Sequence, residues 1–219
     1  MQMGNRNALI LTLFTGLGLG LVLPTTPPSQ PALVQSLVQK TERSLKPFEL
    51  QSAGGVFNNR SLHGQWTLIM FGFTHCPDIC PTTLSRLAVL ETHMSRLSNH
   101  QTLAYLFVSV DPERDSIAML DMYVRQFSPS FFSVTGHPEQ LKSLANILGA
   151  QFQVDPKPGN YQVAHSTLLY LTGPQGKLRA RFNIDHNLAE LANQLHNEIS
   201  RAESVKGIYT ERSRVDSPR

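Results

Sequence analysis

From Trp66 to Phe73 the chain reads WTLIMFGF, a near-continuous apolar run of strand length, as expected of a central strand covered on both faces. Leu103–Val110 (LAYLFVSV) is a second run of this kind, and Phe131–Val134 a shorter one. Between them the period changes. Over Thr82–Leu97, Leu84, Leu87, Ala88, Leu90, Met94 and Leu97 recur at helical spacing. Ser116–Phe127 repeats this with Ala118, Met119, Met122, Tyr123 and Phe127, and Pro138–Leu148 with Leu141, Leu144, Ala145 and Leu148. Thr167–Leu171 and Lys177–Phe182 flank Gly173-Pro174-Gln175-Gly176, a hairpin signal. Asn187–Ile199 closes the pattern as a helix. Strands alternating with helices predict an α/β domain over residues 47–200, with a mostly parallel central sheet, a terminal antiparallel hairpin and flanking helices.

The segments outside this domain differ from it. Ala8–Leu23 carries no charge, Arg6 is the one charge before it, and no acidic residue occurs before Glu42. Residues 1–23 are expected to be an N-terminal membrane anchor or an export signal, with the anchor favoured because no A-x-A cleavage site follows. As a helix, Ala8–Leu23 would span about 24 Å, slightly less than a bilayer core. A single early Arg does not make a mitochondrial presequence, so the expected setting is periplasmic, with the domain on the extracytoplasmic side. Residues 24–46 are a Pro-rich linker (PTTPPSQP over 24–31), followed by a short amphipathic helix expected from Ala32 to Leu45. Residues 201–219 turn polar and basic and are expected to be largely disordered.

Charge excludes one class of function. The formal net charge is +3. The tail supplies most of this excess, setting Arg201, Lys206, Arg212, Arg214 and Arg219 against Glu203, Glu211 and Asp216, and Arg6 supplies the rest. Residues 7–200 sum to zero, with 13 basic and 13 acidic side chains, and leave no basic stripe on which a nucleic acid would bind. Two cysteines also exclude a disulfide framework and a four-thiolate zinc site.

Both cysteines lie in Phe71–Leu84, FGFTHCPDICPTTL, as C-x-x-x-C between the central strand and the next helix. In open α/β sheets this junction is where ligands gather. An i, i+4 pair at a helix start puts the two Cα atoms about 6 Å apart on one face. That spacing admits a disulfide, a thiol–disulfide exchange pair, or two ligands to one metal. A structural disulfide closing so short a loop gains little chain entropy. Efficient exchangers use C-x-x-C. A metal needs a third donor. Of the eight histidines, His63, His93, His100, His137, His186 and His196 read as surface residues, and His75 is expected to point away from Cys76. His165, in Val163-Ala-His-Ser-Thr167 at the entry to a strand, is either a surface histidine or that third donor. Asp78 is expected to cap the helix start, and Asp111, Arg114 and Asp115 to hold the loop after the second strand by internal pairing.

Phe71-Gly-Phe-Thr-His-Cys-Pro-Asp-Ile-Cys-Pro81, Ser109-Val-Asp-Pro-Glu-Arg-Asp115, Phe127-Ser-Pro129, Thr135-Gly136 and His165-Ser166 together resemble the Sco/SenC family of copper-binding thioredoxin-like proteins. The likeness covers about residues 47–199. It implies a thioredoxin-like fold and one copper ion bound by Cys76, Cys80 and His165. It also implies a role in maturing the dinuclear copper centre of cytochrome c oxidase, by metal delivery, by reduction of the oxidase cysteines, or by both. The partners it implies are the copper-bearing oxidase subunit, a thioredoxin-like reductant, and the membrane through an N-terminal helix. Two thiolates and an imidazole form a soft set that suits Cu(I), whereas zinc would want a fourth ligand. Oxidation of the pair to a Cys76–Cys80 disulfide would remove both thiolates, so loading is gated by redox state. Two positions depart from the family pattern: Ala164 stands where Asp commonly precedes the histidine, and Ser116-Ile117 replaces Thr-Pro. The competing reading is a thiol–disulfide oxidoreductase using Cys76 and Cys80. A peroxide-consuming thiol enzyme is disfavoured, because no Thr lies three residues before Cys76.

Overall fold

A computed structural model describes residues 38–97, 103–154, 163–165, 168–185 and 187–215, with side chains over 43–97, 103–152, 168–185 and 187–204. The expected anchor and the spacer before residue 38 lie outside the described residues, as do 216–219. Among the described residues, no helix is long and apolar enough to cross a membrane.

The main sheet has six strands in the order β1-β10-β9-β4-β5-β6. β4 (Trp66–Gly72) is central, and all seven of its residues are buried. β5 (Leu103–Ser109) and β6 (Phe132–Val134) extend the sheet from it in parallel. The other half is antiparallel. β9 (Leu168–Thr172) pairs with β4, and β10 (Lys177–Asn183) returns along β9 through the expected hairpin. β1 (Val38–Ser44) pairs along the free edge of β10. Two small ribbons form ladders of their own: β2 (Glu49–Ser52) with β3 (Gly55–Asn58), which Gln51 bridges to Thr135 just beyond β6, and β7 (Phe152–Val154) with β8 (Val163–His165).

The pleat of β4 divides the core. Trp66, Leu68 and Met70 join one apolar cluster with α1 (Ile79–Leu97), α2 (Ile117–Arg125) and α4 (Leu188–Val215), through Leu84, Leu87, Leu120, Leu191 and Leu195 among others. Ile69, Phe71 and Phe73 face the opposite way. They join α3 (Pro138–Leu148) and the β2–β3 ribbon, through Leu141, Leu144, Leu50 and Phe57. Pro138 at the first position of α3 and Gly149 in the left-handed region at its end set bounds the sequence announced.

Two expectations are corrected. The segment expected to be helical over Ala32–Leu45 forms strand β1 from Val38 to Ser44, so the sheet begins before residue 47. A lone amphipathic turn or two is a marginal helix in water. The open row of backbone donors and acceptors on β10 offers this segment better partners. The expected disorder after Ser200 is corrected as far as Val215, because α4 continues to that residue. Its Lys, Arg and Glu positions favour helix, and extending a packed helix needs no new nucleus.

Candidate metal centre

β4 delivers the chain to the site at its C-terminal end, the edge where open α/β sheets gather ligands. Gly72 is the last residue of the strand, and nothing larger fits there. A Cβ at this position would stand 2.6 Å from Cε2 of Phe107 and 3.0 Å from Sγ of Cys80. The chain then turns, and the Cys76 amide donates to the Phe73 carbonyl (3.3 Å). Cys76 precedes α1 and Cys80 is its second residue. Helix α1 therefore starts three residues before the apolar periodicity indicates. Pro81, without an N–H, falls in the first turn, where no intrahelical donor is needed. Asp78 accepts from the Thr82 hydroxyl at 3.4 Å, and its carbonyl accepts the Thr82 amide at 3.1 Å, so it braces the helix start as expected.

The two sulfurs are brought together as reduced thiols. The Cys80 amide donates to Sγ of Cys76 at 3.4 Å, so a helix-start N–H points at the first sulfur. The two environments differ. Cys76 is partly exposed, whereas Cys80 is fully buried among Phe71, Phe73 and Val108. Burial pushes the Cys80 thiol far above its ordinary value near 9.0, with a backbone hydrogen bond from Phe73 opposing that shift and Cys76 adding to it.

This shift has a consequence for stability. A folded-state thiol held protonated stabilises the fold fully below the unfolded value, and the contribution is lost as pH rises beyond it. The metal-free, reduced protein is therefore expected to lose stability above about pH 9, by up to roughly 1.4 kcal/mol per pH unit for this group. Burial raises Tyr105 and Tyr123 in the same sense, which steepens the fall above pH 10. Urea melts of wild type and Cys80→Ala between pH 7 and 10 check this. The expectation fails if both proteins fall equally between pH 8.5 and 9.5.

The loop holding Cys76 is tied to the β5–α2 connection by Asp115, which is completely buried. Its carboxylate accepts the Thr74 amide at 3.0 Å, the Ser109 hydroxyl at 2.6 Å, and the Thr74 hydroxyl. His75 also lies close. Its Nδ1 is 3.0 Å from the Thr74 oxygen and 3.7 Å from Asp115. Arg114 pairs with Asp111, as expected, and lies over the Phe73 ring at 5.7 Å. Asp115 does more than the internal pairing that the sequence suggested, since it fixes the cysteine loop itself.

His165, the expected third donor, is described through its backbone. It pairs with Phe152 in the β7–β8 ribbon, and Phe152, like Cys76, packs on the apolar cluster that includes Cys80. Three residues later the chain enters β9, which runs antiparallel to β4 with Ile69 opposite Tyr170. Continuing that register sets Leu168 opposite Phe71, so β9 begins at the sheet edge where β4 ends. Among the described residues, no three His, Cys, Asp or Glu side chains form a metal-binding group.

The SCO1/SenC family model matches residues 38–200. The chain belongs to this family. A Rickettsia prowazekii SCO2-like protein is 32% identical over 196 residues, covering 87% of this chain and 95% of that protein. The mitochondrial SCO1 homolog 1 of Arabidopsis thaliana is 34% identical over 155 residues, covering 70% of this chain and 46% of that longer protein. Among solved structures, copper-bound Arabidopsis thaliana ScoI superposes with a TM-score of 0.66 at 33% identity, covering 71% of this chain and 98% of ScoI. The thioredoxin-like α/β fold expected from the sequence is therefore the fold of this family member.

Proposed function

We propose that the protein binds one copper ion through Cys76, Cys80 and His165 and passes it on during assembly of the dinuclear copper centre of cytochrome c oxidase. One observation carries this reading: two reduced sulfurs meet at a helix start on the ligand edge of the sheet, with the Cys80 amide on Cys76, in a relative of a copper-bound ScoI. The donor chemistry supports Cu(I). Two thiolates and one imidazole satisfy a soft ion that accepts two or three ligands. Copper here is cargo, so the site must both hold and release it. A partly exposed Cys76 over a buried Cys80 suits stepwise exchange with the copper-bearing oxidase subunit. On this reading, residues 1–23 anchor the domain on the periplasmic side, and a thioredoxin-like reductant keeps the pair open.

Competition titration of the reduced full chain tests the proposal. Saturation is expected at one Cu(I) per chain, with affinity dropping about 100-fold or more in His165→Ala, beyond the usual loss for an outer-shell partner. An unchanged affinity in that variant, with thiol exchange intact, would favour the second reading.

That second reading is a thiol–disulfide oxidoreductase. The contrast in exposure supports it too: on this reading the partly exposed Cys76 attacks and the buried Cys80 resolves. It predicts reduction of an oxidised dithiol peptide at a rate that depends on Cys76 and is indifferent to His165.

A further inference from the structure

Tyr123, in α2, carries a hydroxyl for which the fold has no use. Its oxygen is buried and, among the described residues, has no hydrogen-bond partner. Buried polar groups are nearly always paired, so an orphaned one points either to strain or to function. The ring stands at the cysteine end of the sheet. It meets Phe107 edge-on, with centroids 6.0 Å apart at 61°, and Phe127 braces it from behind at 5.5 Å. Phe107 is the ring that, together with Sγ of Cys80, crowds the missing Cβ of Gly72. Ring and sulfur are thus near neighbours, with Tyr123 next in line. The start of α2 is pinned to the same place, because Ser116 caps the helix and directly follows Asp115, which holds Thr74. The electrostatics agree: after burial, the groups that oppose ionisation of Tyr123 are Cys80, Cys76 and Asp115, in that order. Tyr105 has a comparable orphaned hydroxyl, but its electrostatic neighbour is Glu91, away from the sulfurs.

We propose that the Tyr123 hydroxyl is a positioning group for the copper site, donating a hydrogen bond to a cysteine sulfur when the pair is loaded with metal. The proposal rests on the copper reading above. A neutral thiol is a weak acceptor, which leaves the hydroxyl idle in the metal-free protein. Metal binding requires thiolate, and a charged sulfur accepts a much stronger bond. The proton stays on the phenol oxygen throughout, and those released on loading come from the thiols. Tyr123 is thus unsatisfied in the empty protein and satisfied in the loaded one, which biases the site toward holding its cargo.

Tyr123→Phe in the reduced full chain removes the oxygen and little else. Cu(I) affinity, measured by competition with a chromogenic chelator, is expected to fall about 10-fold or more, the value of one hydrogen bond to a charged group. The metal-free variant is expected to melt no lower than wild type, because phenylalanine relieves an unsatisfied buried hydroxyl. In protein loaded with Cu(II), the sulfur-to-copper charge-transfer band is expected to move to lower energy, since a thiolate that loses a donor holds its electrons less tightly. Equal affinities with an unmoved band overturn the proposal. So does a loss of affinity matched by an equal loss of metal-free stability, which would make Tyr123 a packing residue. A wild-type chain that binds no copper overturns the underlying reading instead.

Discussion

Cys80→Ser is expected to abolish stoichiometric Cu(I) binding and to weaken the fold as well. Cys76→Ser is expected to abolish binding with almost no effect on stability. The contrast follows from burial. Cys80 is completely buried among Phe71, Phe73 and Val108, so serine there replaces a large soft sulfur with a smaller, more polar oxygen in an apolar pocket, at a cost of about 1–3 kcal/mol. Cys76 is partly exposed, and a serine at that position stays in contact with solvent. On affinity the two should agree. Each removes one of two soft donors, and a hard hydroxyl is a poor replacement for Cu(I), so each loss should exceed the roughly 100-fold cost of an outer-shell change. Copper titration paired with urea denaturation separates the two effects. A Cys80→Ser protein that still takes up one tightly held copper ion would contradict the assignment of Cys80 as a donor.

Asp115→Ala is expected to be the most damaging single change outside the cysteines. The buried carboxylate accepts from the Thr74 amide, the Thr74 hydroxyl and the Ser109 hydroxyl, and alanine removes the acceptor that all three share, stranding the Thr74 amide. Hydrogen bonds to a charged group are worth about 1.5–3 kcal/mol each, and a stranded donor adds its desolvation cost, so a loss of at least about 3 kcal/mol is expected. For a protein of this size that lowers the melting temperature by roughly 6–12 °C. Because Thr74 lies two residues before Cys76, copper affinity should fall as well, and Asp115→Asn, which keeps one acceptor, should fall between. Calorimetry of the three proteins checks this. A melting temperature for Asp115→Ala within about 1 °C of wild type would mean that Asp115 does not hold the loop.

The parts of this protein visible in its sequence are those in which a local pattern and the final contacts agree. The buried run at Trp66–Phe73 appears as β4, and the proline and glycine that bound α3 are visible as letters. C-x-x-x-C at a strand-to-helix junction points to the ligand edge before any coordinates exist. The parts that escape depend on remote partners. Val38–Ser44 is polar enough to suit either state, and only the exposed edge of β10, far along the chain, makes it a strand. Nothing local in Asp115 distinguishes a loop ion pair from a buried acceptor of three hydrogen bonds. The distinction appears only when β5 brings it beside Thr74. Tyr123 reads as one more apolar position on α2, because helical periodicity reports which face is buried and says nothing about what its hydroxyl meets.

X-ray absorption at the copper edge, on the reduced chain loaded with one equivalent of Cu(I), reads the donor set itself. A three-coordinate ion with two sulfur scatterers and one nitrogen is expected, with loss of the nitrogen shell in His165→Ala. Two sulfurs alone, with a spectrum unchanged by that substitution, would contradict that donor set.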